Sequence, residues 1–283
     1  MQVNHFRCYY PGLPKKIPGS HFARNLVERR TLIYQLVKRD FQQRYVGSVV
    51  GWLWGLIHPL VLLLVYTFIF SWCLKTPPPP DSGTDKYSLY LFAGMLPWLL
   101  FSETVQRSSG SIVEQANLVT KTMFPSEIVP VSIFLSSMVS HLLTLVLFVV
   151  AAGIWTGRVV SPLAALLPLF MLLIGLLAVG IGWIAAALQV YLRDTAQVTI
   201  VALTFWMYIT PIMIPEDKIP ARVHFVVVLN PLAYIVRAYR QILLGHVAPS
   251  LGDTVVAAIF GVSAFVVGGL FFRHMKRGFA DVL

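Results

Sequence analysis

Few side chains in this sequence are spaced for covalent chemistry. None of the seven histidines opens an H-E-x-x-H zinc motif, and the two cysteines, Cys8 and Cys73, are not at metal-ligand spacing. No G-x-S-x-G nucleophile turn occurs. Both Lys-Thr pairs, at Lys75 and Lys121, lack the glycine of a phosphate-binding loop. Gly180-Ile-Gly182 only partly matches a dinucleotide fingerprint and sits inside an apolar run, where helix packing is its use. What remains is weak, repeated chemistry. Arg24, Arg29, Arg30, Lys38 and Arg39 form a cationic series able to attract anionic groups at a lipid surface. Tyr66 and Phe70 are four residues apart and Phe205 and Tyr208 three apart, so each pair shares one helix face. Such rings offer an apolar surface without tight directional bonds. Trp98 and Trp183 are further candidates, and for every one of these rings lipid-facing or belt packing is the alternative.

These residues must be positioned by apolar elements. The chain has 283 residues, 57% hydrophobic and 12% charged, against about 25% charged in an ordinary soluble domain. That composition excludes both a soluble enzyme and a disordered chain. The stretches between consecutive charges act as rulers. Tyr45–Leu74, Ile128–Gly157, Val159–Leu192, Thr195–Pro215 and Thr254–Phe272 each reach the roughly 17–25 residues a helix needs to cross the hydrocarbon core. Tyr87–Ser102 falls slightly short, and Glu103 at its end is tolerable if it faces protein or water. The expected fold is therefore an all-α integral membrane protein with six spans, over approximately 51–74, 87–106, 129–152, 162–190, 196–213 and 253–272.

Six spans put both termini on one side. That side would hold 15 of the 22 Lys and Arg residues and the other side 7, so the positive-inside rule places both ends in the cytoplasm. The formal net charge of +10 follows from this orientation and calls for no nucleic-acid partner. Cys8 and Cys73 then flank span one and cannot pair.

Residues 1–46 read as a basic lead followed by a cytoplasmic amphipathic interface helix. From Ser20 its apolar positions Phe22, Leu26, Ile33, Val37 and Phe41 recur at helical spacing. Simple anchoring is the alternative role. Residues 47–283 would hold the six-helix domain. Gly47, Gly51 and Gly55 suggest close helix approach at the start of span one. A short helix is expected over 111–126. The segment 214–252 holds two apolar stretches, Val223–Val228 and Ile235–Leu244, broken at Asn230-Pro231, which suit short outer re-entrant helices. Glu103, His58 and His141 are the main ionisable groups within the apolar runs, fewer than an ion-coupled carrier needs.

Several blocks together resemble a known family. They are Arg44-Tyr45-x-x-Ser48 with Gly51-Trp52-Leu53-Trp54 and Pro59, and Phe92-Ala93-Gly94-x-Leu96-Pro97-Trp98. Ser111-Ile112 through Asn117-Leu118, Lys121-x-x-Phe124-Pro125-x-Glu127 and Arg193-Asp194 follow. Pro211-Ile212, Asn230-Pro231 and the terminal Phe279-Ala280-Asp281-Val282-Leu283 complete the series. In this order they resemble the permeases of type-2 ABC exporters, in particular those exporting lipid-linked polysaccharide such as lipopolysaccharide O-antigen.

The resemblance implies a homodimer in the bacterial inner membrane, working with two copies of a separate ATPase subunit. ATP and Mg would reside on that partner, leaving this chain without cofactor, metal or catalytic residue. It further implies a coupling helix over 111–126, with Glu114, Lys121 and Glu127 as ATPase contacts. Pro215, Asn230 and Pro231 would belong to an outer gate. The cationic series would attract the diphosphate of a polyprenyl-linked glycan, and Tyr66, Phe70, Phe205 and Tyr208 would line its path, with Trp98 and Trp183 as weaker candidates. Capsule, teichoic-acid, lipid or drug cargo is the alternative within the family. An ion-coupled flippase for lipid-linked sugars, or a membrane glycosyl- or acyltransferase, is the alternative outside it.

Overall fold

The computed structural model describes residues 30–44, 46–80, 82–117, 125–157 and 161–283. The described elements are helical throughout. Helix α1 spans Arg30–Gln43, and α2 spans Trp54–Tyr66 and continues in wider turns through Cys73. Helix α3 covers Tyr87–Glu114, α4 Ile128–Thr156, α5 Leu167–Tyr191 and α6 Thr195–Ile209. Two short helices, α7 at His224–Val228 and α8 at Pro231–Arg240, precede α9 at Leu251–Met275 and a last turn, α10, at Phe279–Val282.

Five of these stretches are long and apolar enough to cross a membrane: Trp54–Cys73, Tyr87–Glu114, Ile128–Thr156, Pro162–Tyr191 and Leu251–Gly278. They correspond to five of the six expected spans. The expected span at 196–213 differs, because α6 has only 15 residues. At a rise of 1.5 Å per residue it is about 22 Å long, less than the hydrocarbon thickness. A charge-free run measures apolar sequence, whereas Pro211 ends the helix, because a proline lacks the N–H that another turn requires. The bent pair Ala221–Val228 and Pro231–Gly245 brings the number of crossings to six if it counts as one span.

Helices α3 and α5 form the centre, and α5 packs extensively against both α3 and α9. The most apolar window of α3 is 83% buried and that of α2 only 11%, so α2 is a peripheral helix. Hydroxyl groups in the spans bond back to their own helix: Thr67 to the Leu63 carbonyl, Thr104 to Leu100 and Thr144 to Ser140. In a medium without water this is the cheapest way to satisfy a donor.

Three expectations on boundaries change. Gly47 and Gly51 have φ of +79° and +60° and no neighbour within reach of an added Cβ. They turn the chain from α1 into α2, and no described helix of this chain packs against them. Helix α3 does not stop at 106 but continues to Glu114, so the first turn of the expected 111–126 helix belongs to span two. Ser109 and Ser111 return their hydroxyls to the carbonyls of Gln106 and Ser108, which lets the helix run on after its apolar stretch ends. The helix breaks at Gln115, Ala116 and Asn117 are helical again, and residues 118–124 lie outside the described residues.

The close approach lies instead between α5 and α9. A Cβ on Gly268 would overlap the Gly180 carbonyl, and one on Gly180 would overlap the Ala264 carbonyl. The two backbones touch there, which is how small residues join helices when the solvent is as apolar as leucine. Gly268→Ala should therefore destabilise the folded chain by about 1–3 kcal/mol. Gly269→Ala, whose added methyl would meet the Trp183 ring at 3.4 Å, should change stability by less than about 0.5 kcal/mol. Thermal unfolding of both variants in the same detergent tests the contrast.

Candidate functional site

Two polar constructions occupy opposite ends of the helix bundle. At the end that holds α7 and α8, the chain bends by 89° between the two helices. Asn230 makes the bend. Its side-chain oxygen accepts from the Leu232 amide at 3.1 Å and from the Trp206 indole at 3.0 Å, while its amide donates to Thr210 Oγ1 at 2.9 Å. It thus caps α8 and fastens the bend to the end of α6, and Pro231 follows at the first helical position, where a missing N–H costs nothing. The expected break at Asn230-Pro231 is present, and Pro215 is buried.

Arg240, a residue not singled out in the sequence, is the anchor of this end. Its guanidinium is buried and donates to three backbone carbonyls: Tyr90 at 3.2 Å, Pro211 at 2.7 Å and Ile212 at 2.7 Å. The same group lies 3.8 Å from the centroid of the Tyr90 ring. Gly94 makes the space, since a Cβ there would meet Arg240 Nη2 at 2.6 Å. The signal in the sequence was an arginine at the end of an otherwise apolar stretch, together with a glycine in span two. One turn away, Arg237 pairs with Glu216 at 2.7 Å and Asp253 at 2.6 Å, joining the loop after α6 to the start of α9.

At the α1 end, four charges form a network. Arg44 meets Glu103 at 2.5 Å and Asp40 at 3.5 Å, and Arg107 meets Asp40 at 2.5 Å and Glu103 at 3.8 Å. Arg44 also donates to Ser137 and Ser140, each at 3.1 Å. Burial opposes ionisation of Asp40, but hydrogen bonds from Arg107 and Ser136 and the charges of Arg107 and Arg44 outweigh it and hold its carboxyl below the usual range. These contacts bind α1 to α3 and α4. A cavity of about 410 Å³ opens beside them, and its walls include Arg44, His58, Glu103, Ser137, Ser140 and His141. The three ionisable residues expected within the apolar runs therefore share one cavity, and His141 Nε2 lies 3.1 Å from the Tyr239 hydroxyl.

The other expected site residues separate into groups. Arg30, Lys38 and Arg39 are exposed on α1, whose fully buried residue is Leu36; Arg24, Arg29 and Lys121 lie outside the described residues. Glu114 is exposed at the end of α3. Glu127 forms a salt bridge with Lys276 at 2.9 Å, and its carbonyl accepts from the Trp183 indole at 3.0 Å, so it already joins α4 to the end of α9. Arg193-Asp194 forms a turn held by Gln189, which bonds to the Arg193 carbonyl and the Ala196 amide. Phe205 and Tyr208 are exposed, at 68% and 63%, on α6. Tyr66 and Phe70 are half-buried on one face of α2 with their rings 6.4 Å apart, and Phe70 packs on Tyr87 at 5.2 Å. Trp98 and Trp183 are buried inside the bundle, Trp98 against Phe101 and Trp183 against Phe265.

The Arg240 cradle yields a sharp expectation. Arg240→Met leaves the buried, non-helical carbonyls of Pro211 and Ile212 without a donor, at about 1–3 kcal/mol each, so the folded yield should collapse. Arg240→Lys keeps the charge but loses the planar fork, and Gly94→Ala displaces the guanidinium; both should lower the unfolding temperature. Size-exclusion profiles and thermal unfolding in detergent check all three.

Comparison with known proteins gives a consistent answer. The family model described as ABC-2 type transporter matches residues 31–244. The O-antigen export system permease protein RfbA of Myxococcus xanthus is 29% identical over 266 residues, covering 92% of this chain and 98% of that protein. A Klebsiella pneumoniae protein of the same name is 26% identical, over 89% of this chain and 95% of the relative. The polysialic acid transport protein KpsM of Escherichia coli is 22% identical, over 84% of this chain and 91% of its own length. A bundle of apolar helices with a bent helix pair at one end and a charge network at the other, matched by that model over most of its length, belongs to the ABC-2 type transporter family.

Proposed function

We propose that the chain is the membrane-spanning permease subunit of an ATP-driven exporter that moves polyprenyl-diphosphate-linked polysaccharide, O-antigen first among the cargoes, out of the bacterial cytoplasm across the inner membrane. Similarity to O-antigen export permeases over nearly the full length of both chains carries this reading. The more distant likeness to the polysialic acid transport protein KpsM makes a capsule polysaccharide the second cargo class. The subunit works as a homodimer with two ATPase subunits, which hold ATP and Mg. Both termini are cytoplasmic, α1 lies in the membrane interface, and residues 47–283 form the transmembrane domain.

In this arrangement the exposed cations Arg30, Lys38 and Arg39, with Arg24 and Arg29 before them, raise the local concentration of anionic headgroups. The end of α3 and the following residues through 126 meet the ATPase, with Glu114 and Lys121 as polar contacts. The Glu127–Lys276 pair supports the reading that Glu127 acts from behind, carrying motion from that contact into α4 and α9. Closure of the ATPase then moves helices as rigid bodies. At the far end the α7–α8 bend forms the outer gate, hinged at Asn230 and Pro231.

Sugars present apolar C–H faces and polar edges, and a polymer that slides needs many weak contacts. The exposure of Phe205 and Tyr208, and the shared face of Tyr66 and Phe70, support a path along α2 and α6. Trp98 and Trp183, buried as they are, act by holding the path in shape.

Reconstitution tests the whole reading. In lipid nanodiscs the chain alone should hydrolyse no ATP. Together with its ATPase it should form a two-plus-two complex whose hydrolysis responds to lipid-linked polysaccharide. A chain that co-purifies with no ATPase overturns the assignment. Alanine at Tyr66, Phe70, Phe205 and Tyr208 together should cut export by about tenfold or more, given about 0.5–1.5 kcal/mol per aromatic contact. Surface polymer in cells carrying the fourfold variant measures this, and unchanged export would remove these rings from the path.

A further inference from the structure

We propose that the cavity behind α2 is a receptor for a phosphate-bearing lipid headgroup, in which Arg44 is the anion's ligand and Glu103 is the internal counter-ion that it displaces. This deepens the export reading and rests on it.

The cavity is large and polar where its surroundings are apolar. Its volume of about 410 Å³ lies between α2, α3 and α4, and α2 is the span least packed against the rest of the subunit. His141 lies 13 residues into α4, about 20 Å along it, so the cavity penetrates the membrane region from the α1 end, where Glu103 sits. Ionisable groups at that depth are expensive and mark functional sites. The walls offer donors suited to an anion: the Arg44 guanidinium, the hydroxyls of Ser137 and Ser140, and the imidazole of His58. The Arg44 side chain is only 14% exposed, and its buried Nε makes no hydrogen bond.

The charges are arranged for exchange. Asp40 and Glu103 balance Arg44 and Arg107. Glu103 is bound to Arg44 at 2.5 Å, but it also lies 3.8 Å from Arg107 on its own helix. When a phosphate takes the Arg44 fork, Glu103 has a second cation within one side-chain rotation, while Asp40 keeps Arg107 at 2.5 Å. No carboxylate is left buried without a partner, which is the condition for a low exchange cost. Phosphate suits the site better than a carboxylate does, because a guanidinium fork and flanking hydroxyls can bind several of its oxygens at once.

Binding to the full-length chain in phosphatidylcholine nanodiscs tests the proposal. The probes are farnesyl diphosphate, farnesol, inorganic pyrophosphate and phosphatidylglycerol. The wild type should bind farnesyl diphosphate and not farnesol. Arg44→Gln should weaken that binding by about tenfold or more, as expected for a lost charge-assisted bond. Glu103→Gln should tighten it, because the competing anion is gone. This second variant also tests the proposal if Arg44→Gln fails to fold.

Unchanged affinity in a folded Arg44→Gln protein overturns the proposal, as does a Glu103→Gln protein that binds more weakly than wild type. Equal binding of inorganic pyrophosphate assigns the cavity to a soluble phosphate and overturns the lipid source. Equal binding of phosphatidylglycerol overturns selectivity for a polyprenyl-type headgroup. ATPase stimulation of the wild-type complex by lipid-linked polysaccharide is measured in parallel. Its absence counts against the export reading, whereas its presence with an Arg44→Gln chain of unaltered affinity overturns the receptor alone.

Discussion

Hydrocarbon supplies no hydrogen bonds, and most of this structure follows from that. A continuous helix satisfies its own backbone, which is why five long helices need few polar neighbours and return their threonine hydroxyls to carbonyls one turn back. The difficulty concentrates where helices stop. After α6 the chain has a proline, an open turn and a right-angled bend, and the freed groups are taken up by two side chains. Asn230 holds the bend to Thr210 and Trp206, and Arg240 supplies donors to the carbonyls of Tyr90, Pro211 and Ile212. A buried arginine is usually costly; here three carbonyls and an aromatic face replace its water. The α7–α8 end thus becomes a defined object.

The opposite end solves a different problem, that of keeping charge close to the membrane. Four charged groups from α1 and α3 compensate one another, and serines from α4 complete the coordination of Arg44. The network fixes α1 to the central spans, so displacement of α3 would be felt by α1. It also borders a cavity with the three ionisable groups that are unusual for such an apolar chain. A transporter needs some region where polar cargo can leave water without entering lipid. A cavity lined by donors behind a loosely packed helix meets that need.

Between these ends the packing is simple in principle. Helices in lipid gain nothing from burying apolar surface against each other, so contact depends on shape. Gly180 and Gly268 remove side chains at the crossing of α5 and α9 and let backbones meet. Helix α5 can then serve two neighbours at once. The aromatic-rich faces of α2 and α6 stay outside this core, available to a second subunit or to cargo.

The sequence by itself determined the class, the number of long apolar helices within one, and the family blocks, because charge-free length and residue order are one-dimensional quantities. Asn230-Pro231 was legible as a break for the same reason: a capping residue followed by proline acts within a single turn. Helix ends were less legible, since α3 runs past its apolar stretch and α6 stops short of its own. Gly47 and Gly51 carried packing spacing but serve as turns, a distinction that depends on φ and not on spacing. Only the tertiary structure decided the partners of Arg240, the union of His58, Glu103 and His141 in one cavity, and the commitment of Glu127 to Lys276. Those pairings join residues far apart in the chain, and in a single sequence nothing records which distant donor will meet which acceptor once the helices pack.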